Sequence, residues 1–468
     1  MSNASSRPRR RRFSIQSRPL SEILADDRYR KLQRRFFKLV DHYFGGLEAL
    51  CYALTDPRDP RYTTYPLASL IFSGIWLFAT QQGTRRQANR SFQREAMAVL
   101  NFKQHYECDS YPHGDSLNEL AKGLSVEEVQ SIIVSMLKTL ISKRCLENNR
   151  LLGHYVIALD GTGTLNFGKV RHCSECLHLK QKGITYYYHY VLEAKLVAPN
   201  GMAFPLFTEF LDSAWSPSAK QDCELTAVHR IMEKIKKNFP LLPICLTLDG
   251  LFANGPVIAR CQKYHWKYVI VHPNGKLKVL HQDFQFCQHW FPQSLQQSPE
   301  VGCYRQWSWQ NELFYTDSSG QQFLINVLRS QEAKPNNGSI AQRSNFQWIT
   351  NFQLNADNVV LIGQHGGRIR WNIENQGFNA QKRGGFELEH AYSEHPNAVK
   401  IFHLLLQIAH LLLQLFRLSS LCPKPDGLLP SIRQIARDLQ DAWRFKFLSR
   451  EDLRQLWAKR IRVSLDTT

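Results

Sequence analysis

Two aspartates each end a short apolar run, and their carboxylates could bind divalent cations. Asp160 ends the run HYVIALD and Asp249 ends the run ICLTLD, and a glycine follows each of them. Phosphodiester cleavage and joining use two cations roughly 3.5 to 4 Å apart. Because Mg²⁺ takes only one or two protein carboxylates, three acids brought together can hold a pair of ions. If the two runs are neighbouring strands, both carboxylates emerge at one edge of the sheet.

Glu374 is the candidate for the third acid. It lies in the segment RIRWNIENQGFNAQK, with Arg370 one helical turn before it and Lys382 about two turns after it. One side of a helix would then present a carboxylate between cations, which suits a phosphate-binding face. Taken singly, an acid before glycine is more often a turn residue, and a Glu between cations is more often a surface ion pair. The strand, strand, helix order favours a joint site.

Other acids lie in the same part of the chain and compete for this role. Asp222 and Glu224 fall on a predicted helix, from which they could support the metal ligands indirectly. A surface role is the favoured interpretation for these rivals, which are Glu193, Glu209, Asp222, Glu224, Glu387 and Glu389.

The elements that would position the acids follow from hydropathy and turn patterns. Residues 154–160 and 244–249 read as short buried strands, and Asn200 with Gly201 joins two β-rich runs into a hairpin. Helices are predicted over 219–239 and 256–264, and a further strand over 266–271. The order β, ββ, α, β, α, β predicts a mixed sheet flanked by helices, which is an α/β fold.

Changes in composition divide the chain into predicted units. An Arg-rich start is predicted to be disordered because it has charge repulsion and nothing to bury. Aromatic and polar residues with strand-like alternation predict an all-β insertion. The predicted units are a basic tail (1–28), a helical domain for DNA binding or assembly (29–150), an α/β catalytic domain (151–273 and 355–415), the β-rich insertion (274–354) and a helical basic region (416–468).

The charge of the chain favours a polyanionic partner. Its 468 residues carry 59 Lys and Arg against 40 Asp and Glu, a formal charge of +19, and nucleic acid is the leading candidate. The start of the sequence shows no apolar stretch after its arginines, so a cytoplasmic protein is expected. The apolar runs 65–80 and 401–416 are short or interrupted by polar residues, and are predicted to be core helices rather than membrane spans.

Two further groups of residues have competing interpretations. Cys173 and Cys176 form a CxxC, which is half of a typical zinc site. Completion by Cys108 with His113 or His178 is possible, but free thiols are favoured. In the insertion, Trp290, Trp307 and Trp309 could stack on an unpaired base, although tryptophan in a small β unit is more often core.

Four segments, LDGTG, KQDCE, LTLDGLFANGPVI and RWNIENQGFNAQK, closely resemble bacterial insertion-sequence transposases with a DDE triad. The resemblance covers most of the chain from about Leu54, including DPR at 56–58 and GTRRQAN at 83–89. It implies a ribonuclease H-like catalytic core with a β insertion, and a triad of Asp160, Asp249 and Glu374 that binds two Mg²⁺ ions, or Mn²⁺ in their place.

Related transposases often carry a Tyr, Arg, Glu, Lys signature on the helix of the Glu. Here Arg370 fits the Arg, Gly367 stands in place of the Tyr, and Gln381 occupies the Lys position with Lys382 one place later. The resemblance implies that Arg370 and Lys382 bind DNA phosphates near the transposon end.

The predicted activity is nicking of double-stranded DNA at the ends of a mobile element, followed by joining of the freed 3′-hydroxyl to target DNA. The resemblance implies a homodimer or larger synaptic assembly in the bacterial cytoplasm, associated with the nucleoid. Two alternatives stay open: a structure-selective metal-dependent nuclease, and a catalytically silent DNA-binding protein descended from a transposase.

Overall fold

The structure is a computed structural model that describes residues 27–213, 222–272, 277–300, 303–336, 339–458 and 463–465. The disordered tail predicted over 1–28 lies outside the described residues up to position 26.

The first part of the chain is helical, as its apolar spacing predicts. Its helices are α1 (Asp27–Phe44), α2 (Leu47–Tyr52), α3 (Leu67–Ala79), α4 (Arg85–Ala88), α5 (Ala96–Tyr106), α6 (Gly114–Gly123) and α7 (Val126–Ser142). Helix α7 begins at a capping sequence, since the hydroxyl of Ser125 accepts a hydrogen bond from the Glu128 backbone N–H at 3.2 Å. Every residue of α3 is buried, which confirms the predicted core helix.

The described strands form one ten-stranded mixed sheet, and the predicted α/β class is confirmed. Its order is β2-β3-β1-β5-β6-β10-β9-β8-β7, with β4 paired to β3. Strands β1, β5 and β6 run parallel to one another, and the remaining pairs are antiparallel. The strands are β1 (Tyr155–Gly168), β2 (Leu177–Gln181), β3 (Ile184–Val197), β4 (Ala203–Leu211), β5 (Ile244–Leu248), β6 (Lys267–Val271), β7 (Ser294–Glu300), β8 (Cys303–Thr316), β9 (Gln322–Asn336) and β10 (Ser339–Thr350).

The helices after residue 213 pack on the sheet and on the amino-terminal helices. They are α8 (Glu224–Asn238), α9 (Gly255–Tyr264), α10 (Lys278–Trp290), α11 (residues 359–383), α12 (Pro396–Leu418), α13 (Ile432–Phe445) and α14 (Arg450–Ala458). Helix α11 is continuous, but it passes through π-helical and 3₁₀ turns between its α-helical ends.

The expectation of an all-β insertion over 274–354 is wrong in one respect, because the insertion begins with helix α10. Leu280 and Phe284 are one helical turn apart and fully buried, so a single face of α10 packs inward. The insertion also continues the central sheet, since Trp348 to Thr350 of β10 pair with β6. Trp307 and Trp309 are buried in the core, while Trp290 is 61% exposed.

Helix α12 is the one helix among the described residues that is long and apolar enough to cross a membrane. Of its most apolar stretch, 89% is buried inside this protein, so the predicted core helix over 401–416 is confirmed. One contiguous hydrophobic cluster joins the amino-terminal helices, the sheet, α12 and α13. The predicted boundary at about residue 150 therefore marks a change from helices to strands, and the same hydrophobic cluster continues on both sides of it.

Candidate active site

The sheet places Asp160 and Asp249 side by side. Leu159 of β1 pairs with Leu248 of the parallel strand β5, and the two aspartates are the next residues along each chain. Side chains alternate along a strand, so Asp160 shares a face with Ala158, which packs in the cluster beneath α11. Among the described residues, no hydrogen bond or ion pair engages the Asp249 carboxylate, which leaves its oxygens open to a ligand.

Asp160 is a largely buried carboxyl group with both acidic and basic neighbours. Burial is the main cause that raises the pKa of Asp160 to about 6, and the nearby carboxylates of Glu224 and Asp249 raise it further. Arg370 and the backbone N–H of Gly161 oppose this rise. Burial and the neighbouring carboxylates therefore keep Asp160 protonated to a higher pH than an exposed aspartate.

Helix α11 brings Arg370 to this pair of acids. The guanidinium donates a hydrogen bond from Nη1 to Asp160 Oδ2 at 2.8 Å, and the arginine side chain is 16% exposed. Its Nε is buried and has no hydrogen-bond partner among the described residues. The missing side chain of Gly363 lets α11 pack closely against β8, because a Cβ at this position would stand 2.1 Å from the Trp307 ring.

The structure does not gather Asp160, Asp249 and Glu374 into one cluster. Within the described chain, their carboxylates do not form a set in which all ligand atoms lie within 4.8 Å of one another. Glu374 belongs to the π-helical turn Ile373–Phe378, where Ile373 and Phe378 are buried and Glu374 is exposed. Its carboxylate makes no hydrogen bond or ion pair with the described residues. Glu374 thus lies one turn beyond Arg370 and faces solvent.

Glu224 lies beside the acid pair, although its sequence position predicts only a surface or supporting role. The Tyr190 hydroxyl donates a hydrogen bond to Glu224 Oε1 at 2.6 Å. A Cβ at Gly161 would stand 2.6 Å from the same oxygen. Gly161 is therefore not the turn residue that the sequence suggested, because β1 continues through it to Gly168 and the missing side chain lets Glu224 approach. The position of Glu224 at the start of α8, within the resembling segment KQDCE, was the available signal.

The departures from the transposase signature have packing reasons. A Cβ at Gly367 would lie 2.5 Å from the Trp348 ring, so a tyrosine cannot occupy this position in the present packing. Gln381 is fully buried and donates a hydrogen bond to Gln407 at 2.8 Å. Lys382, the next residue, reaches the surface, where its Nζ lies 3.4 Å from Glu389 Oε1.

Four of the six rival acids take part in ion pairs within the described residues. Arg230 binds both Asp222 and Glu209, and Lys234 binds Glu209 as well. Glu193 is fully buried beside Lys195. Glu389 pairs with Lys382. Each of these four acids would have to leave its ion pair to bind a metal ion.

The other segments that carry the resemblance have structural roles. The Arg85 guanidinium donates to the carbonyl oxygens of Tyr392 and Gly114, at 2.8 and 3.0 Å. The Asn89 side chain accepts a hydrogen bond from the Gly114 backbone at 2.9 Å. The bond to Tyr392 ties the amino-terminal helices to the segment that follows α11, and the two bonds to Gly114 join α4 and its C-terminal extension to α6.

Comparison with models of known protein families and with curated proteins gives no match for this chain. The features of the site with most bearing on function are the neighbouring positions of Asp160 and Asp249 and the hydrogen bond from Arg370 to Asp160.

Proposed function

We propose that this chain is a metal-dependent DNA transposase of the DDE kind, built on a ribonuclease H-like core. The observation that carries the proposal is that Asp160 and Asp249 follow adjacent, hydrogen-bonded positions of two parallel strands. The order β4-β3-β1-β5-β6, in which β5 and β6 run parallel to β1, supports such a core. The formal charge of +19 supports a nucleic acid partner.

The donor atoms at the acid pair fit a hard divalent cation. Carboxylate oxygens are the ligands that Mg²⁺ prefers, and those of Asp249 are open. Asp160 and Asp249 would hold the ions, and Mg²⁺ or Mn²⁺ bound there in a pair would activate the attacking oxygen and stabilise the leaving one. We assign Glu374 as the third ligand, because it lies on the helix that covers the Asp160 face, is exposed and has no partner among the described residues.

Glu224 is assigned a supporting role rather than a place among the ligands. Gly161, over which its carboxylate lies, alternates with Asp160 along β1, so Glu224 approaches from the opposite face of the sheet to α11. Its bond to Tyr190 also occupies one carboxylate oxygen. From there, Glu224 can orient β1 and adjust the charge at Asp160 without contacting substrate.

The chain's own cations would hold the DNA backbone. The Arg370 guanidinium, whose side chain is 16% exposed beside Asp160, would donate to a phosphate oxygen next to the acids. Lys382 would contact a phosphate further along α11, after release from Glu389. The substrates would be transposon ends and target DNA. Bringing two ends together requires a homodimer or larger synaptic assembly.

The first experiment is Mg²⁺-dependent cleavage and strand transfer with labelled DNA that carries the flanks of the encoding element. Asp160→Asn, Asp249→Asn and Glu374→Gln should bind these ends but neither cut nor join them, because each loses a metal-binding charge. Glu224→Gln should slow cleavage about 10- to 100-fold, as removal of a supporting carboxylate does at metal sites. Glu233→Gln on the same helix is the matched control and should retain full activity.

The outcomes separate the alternatives. Cleavage without joining by the unmodified chain would indicate a nuclease, and binding of ends without cleavage in Mg²⁺ or Mn²⁺ would indicate a silent DNA-binding protein. Full activity of Glu374→Gln together with an inactive Glu224→Gln would transfer the third-ligand role to Glu224.

A further inference from the structure

A second set of metal-binding side chains lies in the same sheet, away from the acid pair. Cys173 and Cys176 lie in the connection between β1 and β2, and His189 lies on β3. Their two sulfurs and the histidine nitrogen all fall within 4.8 Å of one another. The residue beside the CxxC is therefore His189, which was not among the possible completions, Cys108 with His113 or His178, that stood against free thiols. The Cys108 thiol donates to Ser110 O instead.

We propose that Cys173, Cys176 and His189 bind one zinc ion, which fastens the β1–β2 connection to β3. The distances from His189 Nε2 to the two sulfurs are 3.3 and 3.6 Å. Ligand atoms of tetrahedral zinc stand roughly 3.6 Å apart for sulfur and nitrogen, from bonds of about 2.3 and 2.0 Å. The sulfurs lie 2.8 Å apart and would separate by about 1 Å on binding.

The chemistry of the three ligand side chains favours zinc over magnesium. Two thiolates and an imidazole are soft and borderline ligands that suit Zn²⁺, whereas Mg²⁺ prefers oxygen. No fourth His, Cys, Asp or Glu belongs to the cluster among the described residues, so a water molecule would take the fourth position. All three side chains are at most 9% exposed, so a bound ion would be shielded from bulk solvent.

The surroundings already hold the ligands in place. Arg171 donates a hydrogen bond from Nε to Cys173 O at 3.1 Å, and Ser213 donates to Ser174 O at 2.6 Å. His189 pairs with Leu165 on β1, five residues after Asp160. That spacing corresponds to about 16 Å along the strand. The zinc site is thus separate from the acid pair and does not depend on the proposed function.

The test is the metal content of the purified full-length chain, measured by mass spectrometry of the elements after removal of loosely bound metal. About one zinc per chain is expected in the unmodified protein and in the control Cys287→Ser, whose thiol lies on α10. Cys173→Ser, Cys176→Ser and His189→Asn should each lose it. Absence of zinc from the unmodified protein after exposure to Zn²⁺, or a disulfide between Cys173 and Cys176 in the intact mass, would overturn the proposal.

Cobalt substitution keeps the test decisive if the variants fail to fold. Co²⁺ bound by two thiolates gives an intense sulfur-to-metal charge-transfer absorption, and Zn²⁺ should displace it. A cobalt spectrum without thiolate bands would refute the site in the unmodified chain itself. These measurements need no DNA, so their failure is distinguishable from failure of the transposase proposal.

Discussion

Replacement of Lys195 by methionine should destabilise the fold strongly, because it leaves a buried carboxylate without its counter-charge. Lys195 and Glu193 are both completely buried on β3. The ammonium lies 3.2 Å from Glu193 Oε2 and donates to Gln407 Oε1 at 2.7 Å. His403 and Thr208 contact the other carboxylate oxygen, at 2.6 and 2.8 Å.

The expected magnitude follows from this burial. Removing one partner of a buried ion pair costs about 3 to 5 kcal/mol, because an uncompensated charge remains in the interior. Total stabilities of folded domains are about 5 to 15 kcal/mol, so Lys195→Met should remove a large fraction. Adding Glu193→Gln should restore part of the loss, since the double variant buries no unpaired charge.

The assay is urea unfolding followed by tryptophan fluorescence and circular dichroism, with Lys234→Met as the matched control. Lys234 lies 2.6 Å from Glu209, but its side chain is 47% exposed. Such a pair contributes about 0 to 1 kcal/mol, and Glu209 keeps Arg230 as a partner. If Lys195→Met costs no more free energy of unfolding than Lys234→Met, the argument from burial is refuted.

Three further predictions follow from packing, protonation and charge. Gly363→Ala should lower the free energy of unfolding by about 1 to 3 kcal/mol through overpacking against Trp307, and an unchanged urea midpoint would contradict the close contact. Burial lowers the pKa of His105 to about 4. As the pH falls below 6.5, the unfolded chain therefore binds a proton at His105 before the folded chain does. Stability should then fall by up to about 3 kcal/mol between pH 6.5 and 4, and His105→Gln should remove that component from the pH profile. Arg370→Gln should weaken DNA binding and reduce the slope of log affinity against log salt by about one; an unaltered slope would show that Arg370 contacts no phosphate.

The sequence sufficed for the features that local patterns determine. The apolar runs before Asp160 and Asp249 lie in strands β1 and β5, as their hydropathy predicts. The sequence left open whether the two strands are neighbours, which the pairing of β1 with β5 decides. The core helices α3 and α12 were also predictable, because continuous apolar stretches too short or too interrupted for a membrane must be buried in the protein.

Features created by packing between distant segments could not be predicted. The approach of Glu224 over Gly161 joins α8 to β1, and nothing local distinguishes that glycine from a turn residue. His189 reaches the CxxC only because β3 returns alongside β1, which no ligand spacing reveals. The sequence did not predict helix α10, because its buried Leu280 and Phe284 lie among aromatic residues whose spacing resembles the alternation of a β-strand.

The pairing of β6 with β10 has a consequence for how the chain folds. Val271 is hydrogen-bonded in the sheet to a strand that includes Trp348, so the whole insertion must be made before this contact can close. Loop-closure entropy rises slowly with loop length, but long-range pairing delays the folding transition. During synthesis, the nascent β6 would have an unsatisfied hydrogen-bonding edge until the insertion emerges from the ribosome. The insertion thus determines when the sheet is complete, and the nascent chain is most exposed to aggregation or chaperone binding in that interval.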